Sequence, residues 1–271
     1  MSAEQFDYVT MSVFSRLPGG GNPAGVCSLG QWPLDATMGK LASAIALPVT
    51  SFVVEESGGI GLRWFSRSGT AVASMCGHGT LAAAKFVGDR HPEWMSFVFN
   101  TSGGSVLVER EESNFAATLP RWESTTTEIP PGLSEALGAI PVEVLDAGRD
   151  LIAVYRHDSE VRNLVPDMGA LRAFGRRGII ATAPGRDYDC VSRFFCPTFG
   201  IGVDEDPVTG SAHCSIAPLW ADRLQKTRLR AYQASERGGE LVCDVSSTGV
   251  RISASVAVAG AGSLVFEGGI F

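Results

Sequence analysis

Short runs in which apolar and polar residues alternate, as through residues 106–110, dominate the chain and carry the period of half-buried strands. They predict strands over 7–14, 24–28, 51–54, 61–66, 96–100, 104–111 and 115–119. A second series covers 142–147, 151–154, 178–182, 189–195, 228–233, 240–245, 249–255 and 262–266. The helical period is rarer. Met38, Leu41 and Ile45 share one face of a helix over 35–45. Segments 79–87 and 211–224 are apolar on nearly every side, which is the mark of helices enclosed by sheet. Shorter helices are expected at 135–137 and 168–174.

The order of these elements is informative. Each half of the chain runs through strands, then a glycine-rich turn, then one very apolar helix. Residues 121–131, with three consecutive threonines and Pro130-Pro131, read as a linker. The expected architecture is therefore two α+β halves related by a weak internal repeat, each a sheet curled around a central helix. The boundaries fall at 1–122 and 123–271, with the last strand packing back on the first half. The active site is expected between the halves.

Composition narrows the function classes. Hydrophobic residues make up 45% of the 271 residues and charged residues 19%, enough for a packed core. A formal charge of −7 without any Lys/Arg run disfavours nucleic acid as a partner. Residues 1–8 have neither a basic nor an apolar targeting region, and apolar runs such as 43–54 are short and interrupted, there by Pro48 and Thr50. A cytoplasmic chain without a membrane span is the expectation. The six cysteines (27, 76, 190, 196, 214 and 243) lack C-x-x-C spacing, so reduced thiols are expected and no metal site is.

Two constellations could carry chemistry. In Met75-Cys76-Gly77-His78-Gly79-Thr80, glycines let the backbone approach a ligand, and the unpaired N–H groups of the following helix start favour an anion. Cys76 and His78 are proton-transfer candidates there. A small-residue helix start with a buried Cys and a structural His fits the same letters. In Asp204-Glu205-Asp206-Pro207-Val208-Thr209-Gly210-Ser211, three acids precede another glycine-bearing helix start; helix capping fits this pattern too. What raises both above the bland reading is their pairing, one in each half. Asn22, in Gly19–Gly21-Asn22-Pro23, orients a ligand or stabilises a turn, and Arg237 before two glycines clamps a carboxylate or closes a hairpin.

Four segments together resemble the phenazine-biosynthesis (PhzF-like) isomerase family: residues 21–26, 76–84, 194–213 and 233–241, matching in order the G-N-P, C-G-H, E-D-P-V-T-G-S-A-H and Q-x-S-x-R-G-G patterns. The resemblance implies a diaminopimelate epimerase-like α+β fold, with two pseudo-symmetric β-barrel-like halves each around a central helix. It implies a homodimer acting on a small molecule without metal or organic cofactor. His78, Asp206 and Ser211 fall on family active-site positions, and Gly77 and Gly210 on helix-start positions; Gly79, Thr80 and Asn22 complete the expected binding set. One position departs: the family's general acid/base Glu, in an N-L-S-E-T-T-F-V pattern, is replaced by Val49. Asp206 beside His78, setting its pKa near neutrality, is the expected substitute, and Cys76 the second.

The expected activity is therefore a proton shift in a small unsaturated carboxylate of secondary metabolism, such as a pyrroline carboxylate or a dihydroanthranilate-like compound. The alternatives are a non-catalytic binding member of the family and a racemase using Cys76. The racemase needs a second cysteine near Val208, and the sequence has none there.

Overall fold

The computed structural model describes residues 3–72, 76–198 and 203–267. Met75 of the first constellation and residues 199–202 of the 194–213 segment lie outside them. The chain forms two compact units, Met1–Ala117 with Ala254–Phe271, and Thr118–Ser253.

The first unit is built from β1 (Ala3–Val13), β2 (Asn22–Leu29), α1 (Asp35–Ile45), β3 (Val49–Glu56), β4 (Gly59–Ser66), α2 (Gly77–Arg90), β5 (Ser96–Thr101), β6 (Gly104–Glu111) and β7 (Asn114–Pro120). The last strand of the chain, β15 (Gly249–Glu267), pairs with both β7 and β1 and so closes an eight-stranded barrel. Inside it lies α2, packed on β1, β2, β3, β4 and β6. Its sequence allows this because Leu81-Ala82-Ala83-Ala84 is small and apolar all round, and these residues are at most 3% exposed. Helix α1 covers the other face of the sheet, where Met38, Leu41 and Ala42 pack against Phe52, Val54 and Phe65. Covered on both sides, β3 is buried at six consecutive positions, so it reads as an apolar run and not as an alternation.

Strand β15 corrects one expectation. Two strands, 249–255 and 262–266, are one. Gly260 and Gly262 look like breaks, but Gly262 pairs with Tyr8, and a Cβ there would lie 2.6 Å from the tyrosine ring. The glycine is a hole for an aromatic ring, and a bulge at Thr10/Met11 absorbs the register shift.

The second unit contains β8 (Thr125–Thr127), α3 (Leu133–Leu137), β9 (Glu143–Asp146), β10 (Asp150–Val154), α4 (Asp158–Arg162), α5 (Met168–Leu171), β11 (Gly178–Pro184), β12 (Cys190–Phe195), α6 (His213–Leu224), β13 (Arg228–Gln233) and β14 (Gly239–Val245). The expected linker is thus partly a strand: its β-branched threonines are exposed and add an edge to β9. Helix α6 packs on β13 and β14 and donates from Trp220 Nε1 to Thr182 Oγ1 of β11 at 2.9 Å. On the opposite face Ile179, Ala181 and Ala183 of β11 pack under α3, α4 and α5. Pro218 lies inside α6 and has no N–H to give the Cys214 carbonyl; Trp122 N–H takes that acceptor at 3.0 Å.

Pairing sense reveals the repeat. From β1 to β7 the sequence is antiparallel, parallel across α1, antiparallel, parallel across α2, then antiparallel twice. From β9 to β15 it is the same, with α4 and α5 in the first crossover and α6 in the second. Helices α2 and α6 are therefore equivalent elements.

Candidate active site

In the first unit Cys76 is the N-cap of α2, with extended φ/ψ of −109°/98°. The Thr80 amide and Oγ1 both donate to the Cys76 carbonyl, at 2.9 and 2.8 Å, which fixes the first turn. Ser51 Oγ of β3 donates to the Gly79 carbonyl at 2.9 Å and ties the turn to the barrel wall. His78 Nδ1 lies 3.7 Å from Cys76 Sγ. His78 is partly exposed as a residue, yet its Nε2 is sealed and has no hydrogen-bond partner, as is Trp64 Nε1. Burial pushes the His78 imidazole down to about 4. The expectation of a pKa near neutrality is therefore corrected: desolvation dominates and His78 is a neutral ring at pH 7.

The two glycines of this turn differ. A Cβ on Gly79 would sit 2.8 Å from Trp64 Cδ1 and 2.9 Å from Ser51 Oγ, whereas one on Gly77 would meet nothing within 4 Å. Gly79→Ala is expected to lower stability by about 1–3 kcal/mol, the usual cost of overpacking. Gly77→Ala should leave the thermal midpoint unchanged or slightly raised, because alanine is the better helix former. Thermal unfolding of both variants checks this; equal midpoints would contradict it.

In the second unit the three acids separate. Arg172 pairs with Asp204 at 3.2 Å, and Arg193 grips Glu205 with two 2.8 Å bonds while its Nη1 donates to the Leu164 carbonyl. Those two acids anchor the loop. Asp206 is buried, and Thr209 Oγ1 donates to its Oδ2 at 2.5 Å. Gln233, fully buried, accepts from the Thr209 amide at 2.8 Å and donates to the Asp206 carbonyl at 2.7 Å. Ser235 Oγ donates to the Pro207 carbonyl. The segment after Gln233 is thus a turn between β13 and β14 that also braces the acidic loop.

A 3-10 turn, Gly210–Ala212, leads into α6. His213 Nδ1 lies 2.8 Å from the Thr209 carbonyl, as Thr80 Oγ1 does from Cys76 in α2. By that shared i, i−4 bond Gly210 matches Gly77, and Ser211 matches His78. Ser211 Oγ accepts from Arg177 Nη1 at 2.8 Å. Asn22 is fully buried and opens β2 opposite Val13; Val49, 2% exposed, opens β3 two residues along the same sheet edge, paired with Ala24. Sequence reasoning missed Arg177, Asp150 and Trp64, which lie outside every motif, and Ser51, two residues after Val49 in the stretch that matches N-L-S-E-T-T-F-V. Cys214 is buried core, its thiol pushed up to about 12 by desolvation, so it is no second racemase thiol. Among the described residues no cluster of His, Cys, Asp and Glu could hold a metal ion, and no helix is long and apolar enough to cross a membrane. Outside both helix starts, His91 stacks on Trp94 with ring centroids 4.0 Å apart.

Comparison with known proteins agrees with this geometry. Residues 11–268 match the model of the phenazine biosynthesis-like protein family. The chain is 40% identical over 267 residues to an uncharacterized isomerase of Pseudomonas aeruginosa, covering 96% of this chain and 98% of that protein. It superposes on a PhzF-family phenazine biosynthesis protein of Enterococcus faecalis with a TM-score of 0.91 at 34% identity, over 96% of this chain and 99% of the other. A hydroxyproline epimerase of Agrobacterium vitis shares the fold alone, with a TM-score of 0.59 at 10% identity over 98% and 92% of the two chains. The fold is the expected α+β, diaminopimelate epimerase-like arrangement, and with a match through both glycine-rich helix starts the chain belongs to the phenazine biosynthesis-like protein family.

Proposed function

We propose that this protein is an isomerase that shifts a proton, and with it a double bond, in a small unsaturated carboxylate of secondary metabolism. The observation that carries the reading is the equivalence of the two helix starts, one bearing His78 and the other Ser211 with Asp206 in the preceding loop. Helix N–H groups near Gly79 and Gly210 favour the carboxylate. His78 and Asp206 move the proton, and Ser211 donates to the ligand. His78 starts neutral, and an anionic ligand beside it raises its proton affinity, so binding and protonation are coupled. Val49 cannot carry a proton, which leaves Asp206 or Cys76, 3.7 Å from His78 Nδ1, to replace the family's Glu. The reaction needs neither metal nor organic cofactor, and the protein acts as a homodimer. An amino-acid-derived pyrroline carboxylate or a dihydroanthranilate-like compound fits the site chemistry.

Proton NMR in D2O tests this directly. Incubated with a panel of such carboxylates, the wild-type protein should introduce solvent deuterium at the carbon next to the shifted double bond of at least one. Compounds that bind, as read by ligand-observed NMR, yet never exchange would assign the chain to the binding-only reading. Exchange that inverts a stereocentre and disappears in Cys76→Ser would assign it to the racemases.

A further inference from the structure

Arg177 immediately precedes β11 and is nearly enclosed: its side chain is 9% exposed and that of its partner Asp150 is 1%. Nε donates to Asp150 Oδ1 at 2.8 Å, Nη2 donates to Oδ2, and Nη1 donates to Ser211 Oγ. The guanidinium lies over the rings of Phe194 and Trp122, 5.0 and 6.0 Å from their centroids. Trp122 is itself pinned by the Cys214 carbonyl that Pro218 leaves open, and Arg149 covers it at 4.8 Å. Such a guanidinium has fixed direction, because its fork is held by a buried carboxylate and its plane by two aromatic rings.

Its effect on Ser211 follows from hydrogen-bond chemistry. Guanidinium N–H groups only donate, so Ser211 Oγ accepts here and its own O–H proton is turned to another acceptor. Ser211 lies in the 3-10 turn that leads into α6, with the Arg177 cation on its oxygen. The internal repeat adds a second argument. In strand order β11 corresponds to β3, so Arg177 lies just before the strand of the second unit that matches the one Val49 opens in the first. Ser211 likewise stands where His78 does.

We propose that Arg177, clamped by Asp150, is a positioning residue that acts through Ser211, presenting its hydroxyl as a donor and making the start of α6 a carboxylate-binding half-site. The ligand class rests on the isomerase reading above; the polarity of position 211 does not. Among the described residues, Arg149, Asp150 and the thiols of Cys196 and Cys214 lie within electrostatic reach of Arg177, and Asp204 and Asp206 within reach of Cys196.

A thiol reporter tests this without turnover. Ser211→Cys, made in a Cys76→Ser background, is titrated by the pH dependence of its alkylation by iodoacetamide, with the modified peptide identified by mass spectrometry. With Arg177 intact the inflection should lie at least about one pH unit below the ordinary thiol value near 8.5. Arg177→Lys should keep most of that depression. The neutral pair Asp150→Asn/Arg177→Gln should move the inflection back up by about one unit. Thermal melts of every variant verify folding, and if the neutral pair does not fold the first measurement alone decides. An ordinary inflection with Arg177 intact, or a depressed one indifferent to the neutral pair, overturns the proposal. A depressed inflection in a protein that exchanges no carboxylate would leave the proposal standing and remove the isomerase reading.

Discussion

His78→Gln is expected to slow solvent-deuterium exchange into an exchange-competent carboxylate by about 10²- to 10⁴-fold, the range that one positioned proton carrier supplies. Folding should be little affected, since Nε2 has no partner to lose and the turn is held by Thr80 and Ser51. Asp206→Asn should cost a similar factor. Its carboxamide oxygen can still accept from Thr209, so the loop survives while the proton acceptor is gone. Cys76→Ser decides what replaced the family's Glu. A loss as large as that of His78→Gln makes the thiol the second proton carrier, and a loss below about threefold leaves the role to Asp206. Exchange rates in all three variants indistinguishable from wild type would remove both helix starts from the chemistry.

The second large effect is on stability in acid. Burial holds His78 and His213 at about 4, against about 6.5 in an unfolded chain. Below pH 6.5 the unfolded chain takes up two protons that the folded chain refuses. The stability that these neutral rings contribute is therefore fully present above about pH 6.5. It is lost as pH falls toward 4, by about 3 kcal/mol for each histidine. The sum is comparable to the whole folding free energy of an ordinary domain. Urea unfolding at pH 7.5, 6, 5 and 4.5 measures it as a steep fall in the midpoint. His213→Gln should start less stable, having lost a bond to the Thr209 carbonyl, but its fall with pH should be shallower by about one proton's worth. The same slope in wild type, His78→Gln and His213→Gln would sink the explanation.

Much of the fold is legible in the sequence because burial leaves a pattern. The all-round apolar faces of 79–87 and 211–224 mark enclosed helices, and both are. Glycine was the less faithful signal. Gly262 reads as a strand end and is a pocket for Tyr8, while Gly79 is demanded by Trp64 and Gly77 by nothing in the fold. The acids show the same limit. Asp204, Glu205 and Asp206 look alike as letters; Arg172 and Arg193, distant in sequence, claim the first two for ion pairs.

By itself, the sequence determined the α+β class, the two-part organisation and the position of each glycine-rich helix start, because hydrophobic period and turn chemistry are local properties. It also determined that position 49 holds no acid. Only the tertiary structure decided the state of His78, since desolvation is a sum over everything packed around a ring. Only the tertiary structure joined Arg177 to Asp150 and Ser211, because 27 and 34 residues of chain separate partners that the folded sheet and helix bring within 3 Å.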